Sequence, residues 1–258
     1  MNWSSLDMSI LGPAFLAGLL VISTHVPLGQ RVLARGIIFL DLAVAQFAGL
    51  GLIAVHSFQW EPAGWQIQLV ALTTAILGVL ILHATEKRWP EIQEALIGIM
   101  FILASSGGIL FLASNPHGGE QLKELLVGQI LWVSYEQLIP VAIIYGCVLF
   151  IWFGFNKKQS SIQFYLLFAV AITASVQLVG VYLVFASLIL PALATRLNTS
   201  HSLRWGYITG ISGYFIGLLL AALFDMPAGA LIVYTLTLTT IVISLWLKNK
   251  SVSFNSTR

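Results

Sequence analysis

The chain is built from long, continuous apolar runs separated by short polar breaks, not from residue-by-residue alternation. A helix needs about 20 apolar residues to cross a bilayer. The runs predict helical spans at about 8–24, 36–56, 65–83, 94–113, 138–155, 205–224 and 229–247. A further apolar block, 163–194, is too long for one comfortable span and holds a glycine, Gly180, near its middle. It reads either as one over-long helix or as two short ones broken at that glycine. A half-length helix is tolerated within a bundle when protein surrounds it. The longest polar interval, 115–137, contains "GGEQLKELLVGQIL", which has helical periodicity after a Gly-Gly turn and predicts a short helix lying at or dipping into the outer surface.

Basic residues choose between the two readings of the long block, because they gather on the cytoplasmic side of a membrane. They cluster at Arg31/Arg35, Lys87/Arg88, Lys157/Lys158, Arg196/Arg204 and Lys248/Lys250, whereas the other breaks hold a single basic residue, Lys123. Only a break at Gly180 puts every cluster on one side. The expected fold is therefore an all-α, polytopic transmembrane bundle of about eight or nine spans. Its N-terminus lies outside and its C-terminus in the cytoplasm, and residues 1–258 form a single domain.

Composition supports this class. Hydrophobic residues make up 58% of the 258 and charged residues only 9%, too few to coat a soluble globule of this size. Continuous runs also argue against an outer-membrane barrel, whose strands alternate. The net charge of +2 gives no electrostatic case for nucleic acid. The N-terminus lacks the basic start of a cleaved signal peptide, so the first run is expected to be retained as a span. The lone Cys147 forms no intrachain disulfide and reads as lipid-facing or packed.

Polar groups inside such runs mark candidate chemistry, because they are costly there and usually face the bundle interior. Asp41, in "RGIIFLDLAVAQFAGLG", sits about 8 Å of helix beyond Gly36. It reads either as a pathway carboxylate or as a structural one paired with a basic residue such as Arg35. Ala45, Ala48, Gly49 and Leu52 continue its face of the helix. Gln46 falls about 140° away round the helix, which suits an interhelix hydrogen bond better than a shared site. His25, His56, His83, His117 and His201 map to span ends or loops, and no pair has i,i+4 ligand spacing. His25 and His56 flank the Asp41 helix. "KRWPEIQEALIGI" places Pro90 at a helix start with Glu91 and Glu94 in its first turn, where acidic side chains suit the helix dipole.

Three stretches in chain order carry a resemblance. "HVPLGQRVLARGIIFLDLAVAQFAGLG", "EIQEALIGIMF" and "SVQLVGVYLVFASLILPALATRL" resemble the integral-membrane permease family of metal-type ABC transporters, importers of zinc, manganese or iron. The resemblance implies a multi-pass permease in the plasma (inner) membrane of a prokaryote, with a translocation path at or near the axis of a homodimer. The implied partners are a second copy of the chain, a cytoplasmic ABC ATPase dimer, an extracytoplasmic metal-binding protein and the lipid bilayer, with no nucleic acid. A divalent metal ion, zinc or manganese, is the transported substrate, and no cofactor is permanently bound. Asp41 is the implied metal contact in the path. The family's histidine one turn later is replaced by Ala45, so the site is completed by a second Asp41 across the dimer axis, by Gln46 with a one-residue shift, or by a histidine from elsewhere, with His56 the candidate. "LPALATRLNTSHSLR" is similar to the family's ATPase-coupling segment, which assigns Pro191, Ala194, Thr195 and Arg196 to coupling. Pro191 is expected to end or bend its helix, and a short helix through Arg196 to reach the ATPase.

The chain has no G-x-x-x-x-G-K-[ST] loop, so ATP hydrolysis is expected on a separate subunit, and the permease itself is not an enzyme. Two other readings remain open at this level. A stand-alone secondary transporter or channel would need no ATPase. An intramembrane protease would need more than Ser105 and Ser106, since neither G-x-S-x-G nor H-E-x-x-H occurs.

Overall fold

The structure, a computed structural model, describes residues 8–57, 64–113, 118–154, 160–196 and 201–255, with the side chains of residues 56–57, 121 and 250–255 outside that description. The described residues form ten α-helices and no strand. They are α1 (Met8–Arg35), α2 (Leu40–Ser57), α3 (Gly64–Arg88), α4 (Gln93–Leu112) and α5 (Gly118–Val127), followed by α6 (Tyr135–Gly154), α7 (Ser161–Val179), α8 (Val181–Ala194), α9 (Ser202–Phe224) and α10 (Ala228–Asn255). Seven of them, counting α4 with the 3-10 turn at Pro90, are long and apolar enough to cross a membrane, and α2 and α8 are shorter apolar helices.

The break at Gly180 is present, and it is what separates α7 from α8. Gly180 holds φ 79 and ψ 162, a backbone region that essentially only glycine enters. It faces a second left-handed glycine, Gly128, at the end of α5, and a Cβ built on Gly180 would lie 2.6 Å from the Val127 carbonyl carbon. The surface helix α5 is thereby seated backbone to backbone on the α7–α8 joint. At about 1.5 Å per residue the 14 residues of α8 cover roughly 21 Å, short of a bilayer core of about 30 Å. Ten of the 14 are buried, packed by α1, α9 and α10, so protein rather than lipid surrounds the short helix.

Small residues set the closest helix approaches. On α9, a Cβ at Gly206 or Gly210 would strike Val26 or Ile22 of α1, and one at Gly213 or Gly217 would strike Leu236 or Ile232 of α10. The stripe lets α9 pack against both neighbours, the usual membrane solution where dispersion rather than water exclusion drives association. The outer face is apolar, with Ile102, Leu103, Ile143, Phe150 and Leu238 exposed as a lipid-facing surface requires. Cys147 is exposed on the same surface of α6.

Two expectations change. His25 is not at a span end, because α1 runs past 24 and through Pro27 to Arg35, and the residue lies inside the helix, fully buried. Pro191 does not end its helix, because α8 continues to Ala194 and no helix forms at Arg196. A bundle tolerates both prolines because neighbouring side chains meet the backbone groups around them. Pro27 leaves the Ser23 carbonyl without its helical amide partner, and the Tyr207 hydroxyl donates to it at 3.1 Å.

The ends of α1, α3 and α7 meet in a polar knot. Arg35 pairs with Glu86 at 3.7 Å, donates to the Ser161 hydroxyl at 3.1 Å and lies 4.3 Å over the Phe164 ring. The Ser161 hydroxyl donates to Glu86 at 2.5 Å. Arg35 is thus engaged with Glu86 and not with Asp41.

Candidate functional site

Helix α2 runs through the middle of one half of the bundle, against α3 and α4. Most of its residues are buried, including Ala43, Val44, Ala45 and Ala48, so it presents no lipid face to speak of. Its helix begins at Leu40, not at Gly36, which puts Asp41 in the first turn. Asp41 is only 1% exposed, and neither carboxylate oxygen has a hydrogen-bond partner. Bare carboxylates in such surroundings are expensive, and helix N-termini such as this one favour them only in part.

Two cavities lie along α2. A groove of about 600 Å³ is lined by Leu42 and Gln46 of α2, with Ser105, Leu126, Tyr182 and Thr237 among its other walls. A vestibule of about 540 Å³ opens beside the other end of α2, at Leu52 and Ile53. Gln68, Glu124, Gln129, Gln137 and Gln177 give it polar walls. Gln129 donates to the Glu124 carboxylate at 2.8 Å.

Between the cavities stands α5. Leu125 lines the vestibule and the adjacent Leu126 lines the groove. A Cβ on Gly49 of α2 would lie 2.6 Å from a Leu125 methyl, so glycine at this position is what lets the leucine close against the helix.

The candidate residues from the sequence are therefore spread, not gathered. Gln46 lines the groove, while Asp41 lines neither cavity and lies at the opposite end of α2 from the vestibule. The His56 side chain falls outside the described residues, as does His117. Of the coupling candidates, Pro191, Ala194 and Thr195 are buried and Arg196 is exposed. The Thr195 hydroxyl donates back to the Ala192 carbonyl at 3.1 Å and accepts from Gln30 at 3.3 Å, tying the end of α8 to α1.

His25, placed at a span end from the sequence, is instead locked in the core. Its Nδ1 lies 2.8 Å from the Val21 carbonyl, which can only accept, so Nδ1 carries the proton and Nε2, 3.1 Å from Ser175, accepts from that hydroxyl. Both ring nitrogens are thus engaged within the protein, and neither is open to a metal ion. Among the described residues no group of three or more His, Cys, Asp or Glu could hold a metal ion.

Sequence reasoning missed the role of α5 as the partition between the cavities. It also missed the approach of Glu94, in the first turn of α4, to the α2 N-terminus. Glu94 accepts a hydrogen bond from the Phe39 amide at 3.2 Å. The only prior signal was that both residues are acidic and open neighbouring apolar runs.

A lipid-faced helical bundle with cavities strung along one central, carboxylate-bearing helix is a polytopic membrane permease. The chain belongs to the ABC 3 transport family, whose model matches residues 7–164 and 152–248. Among its relatives, the high-affinity zinc uptake system membrane protein ZnuB of Haemophilus influenzae is 26% identical over 246 residues, covering 87% of this chain and 92% of the relative. The manganese transport system membrane protein MntC of Halalkalibacterium halodurans is 23% identical over 254 residues, covering 88% and 84%. Among solved structures, a chain of PsaBC from Streptococcus pneumoniae in complex with Fab superposes with a TM-score of 0.76 at 18% identity, covering 97% of this chain and all of that one.

Proposed function

We propose that this chain is the permease subunit of an ATP-driven importer for a divalent metal ion, zinc or manganese, and that it works as a homodimer. A cytoplasmic ATPase pair drives it, an extracytoplasmic metal-binding protein delivers the ion, and the N-terminus is outside. Support comes from the family membership and from relatives named as zinc and manganese transport membrane proteins. The single observation that carries the reading is α2 itself, which lines two cavities and carries in its first turn a buried carboxylate with no partner. An ionisable group buried inside a membrane bundle without a partner marks a candidate place for a cation in transit.

The route runs from the vestibule, past the Leu125–Gly49 closure, along the groove at Gln46 and on to Asp41. The ion is substrate here, and weak binding suits a site that must release it. Arg196, exposed after α8, is the contact for the ATPase.

Uptake of radioactive zinc or manganese by cells or proteoliposomes carrying the assembled transporter tests the reading. Asp41→Ala is expected to abolish uptake while the complex still assembles. Normal uptake by that variant would overturn the pathway role. A secondary transporter would instead take up metal without the ATPase.

A further inference from the structure

Among the described residues, five buried side-chain polar atoms lack a hydrogen-bond partner, and three of them are carboxylate oxygens: both of Asp41 and Oε2 of Glu94. The two residues open neighbouring helices, α2 and α4, which pack against each other. The fourth oxygen, Glu94 Oε1, is held by the Phe39 amide two residues before Asp41, so the hydrogen bond fixes the Glu94 side chain to the very turn that carries Asp41. Arg35, the nearest basic residue along the chain, is spent on Glu86 and Ser161.

Two acidic groups at the starts of packed helices, with three oxygens lacking a hydrogen bond and the Phe39 amide serving only the fourth, form an arrangement that an apolar bundle penalises. A bound cation removes the penalty. An amide or hydroxyl would satisfy one oxygen and leave the like charges opposed. The partial positive ends of α2 and α4 stabilise the carboxylates and at the same time weaken their hold on a cation, which suits transit over storage.

We propose that Glu94 is the second protein ligand of the transported divalent ion, completing with Asp41 a two-carboxylate, all-oxygen site between the first turns of α2 and α4. The inference rests on the proposed role of Asp41. An all-oxygen donor set favours a manganese-like ion over zinc, which prefers nitrogen and sulfur ligands.

The test is manganese binding to the purified full-length chain in detergent, read from loss of the free-ion EPR signal, for wild type, Asp41→Asn, Glu94→Gln and Glu94→Asp. Gln at 94 keeps an oxygen for the Phe39 amide and loses only the charge, so its thermal melting is expected to match wild type. Glu94→Gln is expected to weaken binding by at least about tenfold, Glu94→Asp to restore most of it, and Asp41→Asn to abolish it. Wild-type affinity in Glu94→Gln, with Asp41→Asn still defective, would overturn the role of Glu94 and leave that of Asp41 standing. Wild-type affinity in Asp41→Asn would overturn the underlying reading. A lowered melting temperature in Glu94→Gln, with Glu94→Asp no better at binding, would make the residue structural and overturn the proposal as well.

Discussion

Gly180→Ala tests whether the α7–α8 joint and the seat of α5 are one structural unit. The backbone at Gly180 lies at φ 79 and ψ 162, where a side chain costs roughly 1–3 kcal/mol. The added methyl would also lie 2.6 Å from the Val127 carbonyl carbon and 2.7 Å from Gly128 Cα, both backbone atoms that cannot rotate away. Overpacking of a tight site typically costs a further 1–3 kcal/mol or so, giving a loss of about 2–6 kcal/mol in all. Against a total stability on the order of 5–15 kcal/mol this is a large share. The control is Gly146→Ala on α6, where a new Cβ meets nothing within 4 Å. Alanine is the better helix former there by about 1 kcal/mol. Thermal unfolding of the detergent-solubilised protein, followed by tryptophan fluorescence, is expected to fall by many degrees for Gly180→Ala and to hold or rise slightly for Gly146→Ala. Equal melting temperatures for Gly180→Ala and wild type would refute the argument that α5 is locked onto the joint.

Two further outcomes are expected. Leu125→Ala removes the side chain that closes against Gly49 between vestibule and groove, so metal entry into proteoliposomes without ATP is expected to rise several-fold, and an unchanged leak would remove Leu125 from the closure. His25→Ala removes a ring held by Val21 and Ser175 in a fully buried site, and is expected to cost roughly 2–4 kcal/mol while leaving manganese affinity unchanged; a loss of affinity without a loss of stability would make the ring a ligand.

Much of the architecture was legible in local pattern. Among the described residues the apolar runs located each of the seven helices long and apolar enough to cross a membrane, and basic clustering with Gly180 called for two helices where the hydropathy alone allowed one. Continuous apolar segments have few alternatives to helix in a bilayer, because no water is present to satisfy exposed backbone groups. The helix ends were less legible. Asp41 read as lying one and a half turns inside α2 and is in its first turn, because the chain between Gly36 and Phe39 turns before the helix begins. His25 read as an end residue and is a core residue, because burial by neighbours lets α1 continue through Pro27.

Local pattern was enough for the class, a helical membrane bundle, for its crossing segments and the short helix α5, and for Asp41 as the carboxylate needing explanation. What surrounds that carboxylate depends on the packing of distant helices. Hydropathy acts within one segment, whereas the meeting of Phe39 with Glu94, or of Leu125 with Gly49, joins residues more than fifty positions apart. Such meetings depend on which faces of which helices pack together. In a bilayer that choice is made by close van der Waals fit between small and large side chains, a property of pairs of helices that no single run of residues displays.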